Sequence, residues 1–284
     1  MRQPAEWRAH LDDRRAAGER VGVVPTMGAL HAGHLSLIRR AAGDCPAVAV
    51  TDYVNPLQFG PTEDLDAYPR DLGRDCERAE EAGAGSVFAP ATEDLWPRPP
   101  CTSVRVEGLS DSLEGASRPG HFDGVATIVT KLLSLAGPCW AYFGEKDYQQ
   151  LAVIRRLVAD LSLPVEVIGC PTVRDSDGLA LSSRNAYLTE AERVAAPQLY
   201  YALLAGKRAV EEDRVAQVDV VEKTMAAALG RQTMFELDYA AVADPVDLSR
   251  PERIAGEVRL LIAARIGRAR LIDNVAASAP TDDR

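Results

Sequence analysis

The stretch Val21-Gly-Val-Val-Pro-Thr-Met-Gly-Ala-Leu-His-Ala-Gly-His34-Leu-Ser-Leu-Ile sets two imidazoles, His31 and His34, three residues apart just after a glycine-bearing turn. A β-rich run feeding such a turn and then a helical pattern makes an anion site. The helix start offers N–H groups and the positive end of its dipole, and residues at i and i+3 share a face. Gly33 lacks the side chain that would block a planar ring, so the pattern predicts nucleotide phosphates at His31 and His34. Neither standard phosphate loop is present. There is no G-x-x-x-x-G-K-[ST], and Gly83-Ala-Gly85-Ser-Val-Phe88 lacks the third glycine of the dinucleotide fingerprint, which implies a different nucleotide fold.

Other residues suit the same chemistry. Lys146, in Gly-Glu-Lys-Asp at a helix start, supplies a compact positive charge, and Ser182, Ser183 and Arg184 offer hydroxyl and guanidinium donors to phosphate. Asn55 and Gln58 follow a strand end, where doubly wound folds bind ligands and where neutral amides can both donate to and accept from a polar one. Plainer readings exist for each. The two histidines could cap a helix, sit in a core, or ligate zinc with His121 as a third, although no H-E-x-x-H or cysteine pair supports zinc. A single lysine or arginine is by default a solvated charge, Asn55-Pro56 could be an ordinary turn, and Asp175-Ser-Asp-Gly178 reads as one.

The elements that must position these groups follow from periodicity. Val21–Val24, Val48–Val50, Ser86–Phe88, Cys139–Phe143 and Val165–Ile168 read as strands, several continuously apolar as buried parallel strands are. Helical patterns alternate with them at His34–Gly43, Arg74–Ala82, Phe122–Ala136 and Asp147–Leu161. The fold class expected is therefore α/β, a Rossmann-like doubly wound parallel sheet. Past Pro171 the pattern becomes one long helix from Thr189 to Glu212, a second from Val215 to Leu229, and β-like runs at Glu236–Val242, Val258–Ala264 and Arg268–Ile272, a smaller α+β domain. The expected division is 1–172 and 173–284, consistent with 284 residues being more than one typical domain.

Composition excludes several classes. A formal charge of −10, from 32 basic and 42 acidic residues, is the wrong sign for a nucleic-acid clamp. No apolar window is long enough to span a bilayer, the first twenty residues carry no signal-like run, and five scattered cysteines without a C-x-x-C suit a reducing compartment, so a cytoplasmic location is expected.

Within Pro25-Thr-Met-Gly-Ala-Leu-His-Ala-Gly-His-Leu-Ser-Leu-Ile38 the short H-x-G-H pattern becomes specific: it resembles the signature of the pantothenate synthetase family, of the HIGH-type nucleotidylyl-transferase superfamily. Val54-Asn-Pro-Leu-Gln-Phe59, Asp64-Leu-Asp-Ala-Tyr-Pro-Arg70, Arg118-Pro-Gly-His-Phe-Asp-Gly124, Phe143-Gly-Glu-Lys-Asp-Tyr-Gln-Gln150, Leu181-Ser-Ser-Arg-Asn185 and Arg270-Leu-Ile-Asp-Asn274 resemble further blocks of that family in the same order, a likeness running from about Val21 to Asn274. Three places depart from it. Thr51-Asp-Tyr precedes Val54 where an apolar run is expected, Leu181 stands for a Met, and Asp71-Leu-Gly-Arg-Asp75 is thinner in acid than the usual cluster.

The resemblance implies ATP-dependent joining of pantoate and β-alanine through a pantoyl adenylate, with pyrophosphate and AMP released and no protein nucleophile. It implies that His31, His34, Lys146, Ser182, Ser183 and Arg184 act on the phosphates, and that Pro25, Met27, Gly28, Gly33, Gly144, Asp147, Val173 and Leu181 complete the ATP site, Asp147 at the ribose. Gln58 and Gln150, with Asn55, would hold pantoate. Mg²⁺ would be held mainly through the ATP phosphates, with Asp75 as the candidate protein ligand. Tyr68, Glu114, Arg118 and His121 would support the site or lie near a dimer interface. A homodimer through the N-terminal domain, and a C-terminal domain closing over the phosphates, complete the expectation. The alternatives are a relative using a different carboxylate or amine, and a silent nucleotide-binding homologue.

Overall fold

The computed structural model describes residues 1–60, 65, 66 and 68–280, so Asp64 and Ala67 of the Asp64–Arg70 block lie outside the described residues. The chain forms two compact units, one of Met1–Glu145 with Gln149–Pro171, the other of Lys146–Tyr148 with Thr172–Arg284.

In the first unit, β1 (Val21–Thr26), β2 (Ala47–Asp52), β3 (Ser86–Phe88), β4 (Cys139–Gly144) and β5 (Val165–Cys170) make one parallel sheet in the order β3-β2-β1-β4-β5. Helices α1 (Pro4–Ala16), α2 (Ala32–Asp44), α3 (Leu72–Glu81), α4 (Thr92–Leu95), α5 (Glu114–Ser117), α6 (His121–Ala136) and α7 (Tyr148–Asp160) accompany it. The apolar runs read as strands are strands because both faces are covered; Val24, Val48 and Val50 share a core with Leu37, Ile38 and Ala79 of α2 and α3. Helix α1 has no counterpart among the expected elements. Only Trp7 and Leu11, one turn apart, are buried on it, and Trp7 stacks flat on Phe88 with ring centroids 4.4 Å apart.

The strand order reverses between β1 and β4, the switch point where doubly wound sheets bind ligands. There β1 pairs with β2 as far as Thr26↔Asp52 but with β4 only at Gly22↔Trp140 and Val23↔Ala141, while β4 keeps pairing with β5 to Gly144↔Cys170. Beyond Val23 the middle of the sheet is open. Pro25 stands in that open stretch and brings no N–H to a ladder.

In the second unit α8 (Glu190–Ala195), α9 (Gln198–Glu211) and α10 (Val218–Leu229) precede an antiparallel sheet of β6 (Phe235–Ala243), β7 (Glu257–Ile266) and β8 (Ala269–Ser278) in that order. The single helix expected from Thr189 to Glu212 is two, because Pro197 cannot donate its backbone N–H and the helix ends at Ala195. Leu199 and Leu203 of α9, Val221 and Met225 of α10, and Leu260 and Ile262 of the central strand share one core. The Asp175–Gly178 turn forms as read, its Gly178 N–H donating to the Asp175 carbonyl at 2.9 Å.

Candidate active site

The histidine segment leaves β1 through Gly28 and Ala29, both with positive φ, 78° and 49°. Glycine is required at the first: a Cβ there would lie 2.4 Å from Asp52 Oδ1. The Asp75 carboxylate, 3% exposed, pins the loop by accepting from the Ala29 N–H at 2.8 Å and the Leu30 N–H at 2.7 Å. Each oxygen thus accepts one backbone N–H, so the carboxylate expected as a candidate metal ligand anchors the loop.

At the start of α2 the two histidines cap the helix reciprocally. His31 Nδ1 accepts from the Gly33 N–H at 3.1 Å, and the His31 N–H donates to His34 Nδ1 at 3.4 Å. Their rings stack at 4.0 Å between centroids. These two main-chain donors, expected to meet an anion, are therefore taken by the rings. The reason is that an imidazole reaches the amides as an Asn side chain does at an N-cap. With each Nδ1 accepting, the neutral ring carries its proton on Nε2, which makes that end of the ring a hydrogen-bond donor. The capping bonds occupy the Nδ1 end of each ring.

Asp52, on the last residue of β2, has no ion-pair partner among the described residues to ease its burial. Burial pushes its carboxyl up to about 6, and the charge of Asp75 pushes in the same direction. Below the ordinary carboxylate range folded and unfolded chains both hold the proton; between about 4 and 6 only the folded chain does, so stability falls as pH rises through that window; above 6 both are ionised and the loss, a poorly hydrated charge in the folded chain, stays constant. Asp52→Asn is expected to stabilise the fold by about 1–2 kcal/mol at pH 8, allowing for partial exposure, with the gain vanishing by about pH 4. Urea midpoints of both proteins across that range measure it, and a gain that is flat with pH would refute the titration.

Asn55 is 1% exposed, and its amide is spent on the fold. Oδ1 accepts from the Leu57 N–H at 3.3 Å, while Nδ2 donates at 3.1 Å both to the Gly124 carbonyl and to Gln58 Oε1. It stands behind Gln58 and aims it. Gln58 Nε2 in turn meets Met27 Sδ at 2.8 Å, so a residue expected at pantoate and one expected at ATP are neighbours. The turn carrying Gln58 lies so close to α6 that a Cβ on Gly124 would come within 2.1 Å of the Leu57 carbonyl oxygen. His121 Nδ1 lies 2.8 Å from the Gln58 carbonyl and its Nε2 lies 3.0 Å from Arg118. Gln149, which sequence reasoning passed over, is the buried amide of its pair: it accepts from the Glu114 N–H and donates to the Leu109 and Ser112 carbonyls, while Gln150 beside it is partly exposed. Gly144 ends β4 with open space where a Cβ would stand.

Within the second unit Lys146, Ser182 and Arg184 line one recess, with Asn185, Arg270 and Asp273. Lys146 Nζ lies 3.6 Å from Asp147 Oδ1, its side chain 18% exposed. Ser182 caps the short 3-10 turn of Ser183–Tyr187 by accepting from the Arg184 N–H at 3.3 Å, and Leu181 donates its N–H to the Val173 carbonyl at 3.0 Å. Arg270, paired with Asp238 at 2.6 Å, adds a guanidinium that sequence reasoning placed in a block but gave no role.

Among the described residues no group of three or more His, Cys, Asp or Glu could hold a metal ion, and no helix is long and apolar enough to cross a membrane. The pantoate-beta-alanine ligase family model matches residues 1–276, so the likeness includes the first twenty residues, which sequence reasoning left outside it. Pantothenate synthetase of Mycolicibacterium smegmatis is 51% identical over 274 residues, 96% of this chain and 85% of that one. That of Cereibacter sphaeroides is 50% identical over 276 residues, 97% of this chain and 98% of its own. Among solved structures, pantothenate synthetase from Thermus thermophilus superposes with a TM-score of 0.90 at 48% identity, covering 97% of this chain and 98% of the other. Pantoate-beta-alanine ligase from Francisella tularensis, complexed with beta-gamma ATP and beta-alanine, gives 0.77 at 32%, covering 97% and 96%.

Proposed function

The chain belongs to the pantoate-beta-alanine ligase family, and from that premise we propose how its residues divide the reaction. That reaction is the ATP-dependent condensation of pantoate with β-alanine to pantothenate, AMP and pyrophosphate. The pantoate carboxylate attacks the α-phosphorus of ATP, the bond to pyrophosphate breaks, and pantoyl adenylate forms. The β-alanine amine then attacks the acyl carbon, AMP leaves with the acyl–phosphate electron pair, and the amine loses its proton. Neither step needs a protein nucleophile, so the protein's part is orientation and stabilisation of developing phosphate charge.

The observation that carries the assignment is the reciprocal cap at α2, which turns two imidazoles into donors through Nε2 at the carboxyl end of the central strand. His34 and His31 are assigned to phosphate oxygens. Met27, Gly28, Gly33, Pro25 and Gly144 of the first unit are assigned to the nucleotide, and so are Asp147, Val173 and Leu181 of the second. Lys146, Ser182, Ser183 and Arg184 supply charge and hydroxyl donors to the triphosphate. Gln58, aimed by Asn55, and Gln150 are assigned to the hydroxyls and carboxylate of pantoate. Mg²⁺ enters as the Mg–ATP substrate, held mainly through the ATP phosphates, with Asp75, which anchors the Ala29 and Leu30 amides, as the candidate protein ligand.

The working state is a cytoplasmic homodimer, in keeping with five unpaired cysteines suited to a reducing compartment; light scattering on a size-exclusion column reads the mass. The deciding experiment is pyrophosphate release from Mg–ATP with D-pantoate, omitting each component in turn. Turnover requiring pantoate, and β-alanine for repeated cycles, supports the reading. ATP binding without release under every combination would identify a silent homologue, and release with another carboxylate would identify a relative of different specificity.

A further inference from the structure

Lys146 lies in a three-residue segment, Lys146–Tyr148, that folds with the C-terminal residues and not with its neighbours in sequence. Three contacts fasten it there. Asn274 Nδ2 donates to the Lys146 carbonyl at 2.8 Å, the Arg259 guanidinium covers the Tyr148 ring 4.0 Å from its centroid, and the Tyr148 hydroxyl donates to the Pro245 carbonyl at 3.0 Å. Asn274 is held at its other end too, because its Oδ1 accepts from Arg259 Nε at 2.7 Å. The amide cannot turn over without setting acceptor against acceptor and donor against donor. Behind it, the Asn274 N–H donates to Asp273 Oδ1 at 2.8 Å, and Asp273 takes a two-pronged ion pair from Arg174 at 2.6 and 2.9 Å. Arg259, Asp273 and Asn274 are all buried.

A buried polar chain of this kind is costly unless every member is satisfied, and an apolar side chain could fill the same volume. What an apolar side chain could not do is fix a main-chain carbonyl. We infer that Asn274, held by Arg259, is a positioning residue for the known reaction: it sets where the Lys146 backbone stands, and through it where the ammonium meets the phosphates. The inference rests on the assignment of Lys146 to the triphosphate.

Asn274→Asp tests it in the full-length protein. The substitution keeps size and the Arg259 partner but turns a carboxylate oxygen toward the Lys146 carbonyl. The kcat for pantoate-dependent pyrophosphate release is expected to fall about 10–50-fold, while KM for pantoate changes less than about twofold. In a Lys146→Ala background the same substitution should remove nothing further, since groups acting as a unit are not additive. An Asn274 with only a structural part would lower the melting temperature and leave kcat per folded molecule unchanged, or would add its loss to that of Lys146→Ala; either overturns the inference. Should Asn274→Asp fail to fold, Tyr148→Phe, which removes the hydroxyl bond to Pro245 that fastens the same segment, is expected to lower kcat about threefold, and an unchanged kcat overturns the inference instead. If Lys146→Ala turns over normally, the Lys146 assignment fails and the inference falls with it; if Lys146→Ala is inactive and Asn274→Asp normal, the positioning inference fails alone.

Discussion

Lys146→Ala is expected to lower kcat for pyrophosphate release by about 10²–10³-fold while the chain remains folded. The argument is electrostatic. As the α-phosphorus changes partners, charge builds on the departing pyrophosphate, and a mostly buried ammonium at a fixed place needs no reorganisation to meet it. In a protein of net charge −10, the mean field opposes a tetra-anionic substrate, so local cations must carry the attraction. Lys146→Arg should recover only part of the loss, because a planar fork on a longer stem cannot replace a point charge whose backbone is tethered. Steady-state kinetics with circular dichroism of each variant decide the matter, and wild-type kcat in Lys146→Ala would remove the residue from the mechanism.

His34→Asn is expected to be comparably damaging, about 10²-fold or more in kcat, though it is the mildest change for the fold. An Asn oxygen can occupy the place of Nδ1 and accept the His31 N–H, preserving the cap, but nothing then stands where Nε2 was. His34→Ala removes both, and should add a stability loss of about 1 kcal/mol from the missing cap. The comparison separates the two ends of the ring. Equal activity in wild type and His34→Asn, with His34→Ala merely less stable, would reduce His34 to a helix cap.

Much of this was legible in the sequence, for identifiable reasons. Parallel strands buried on both faces write themselves as runs such as Val48–Val50, and a glycine turn between such a run and a helical pattern left few ways to arrange Met27 to His34. Helix α1 was not legible, because two buried residues, Trp7 and Leu11, give too weak a stripe against a polar background. Nor were the partners of polar groups. Asn55 and Gln58 look equivalent as neighbouring amides, yet the approach of Gly124 buries one and presents the other. Asp75 has the chemistry of a metal ligand, but that it also anchors the Ala29 and Leu30 amides, 46 and 45 residues away in the chain, is written in no local pattern. Asn274 sits 128 residues from the carbonyl it holds, a pairing that no local pattern encodes.

The gap beside Pro25 has a consequence for anyone who would make this protein sturdier. A β-branched residue is the usual improvement at a central strand position, and replacing Pro25 would restore a ladder donor where β1 and β4 part. Zipping those strands further would close the parting beside which the nucleotide is proposed to bind. The proline is thus a place where robustness and turnover pull in opposite directions, and thermal improvement is better sought at Asp52 and on the outer helices, leaving the parted strands as they are.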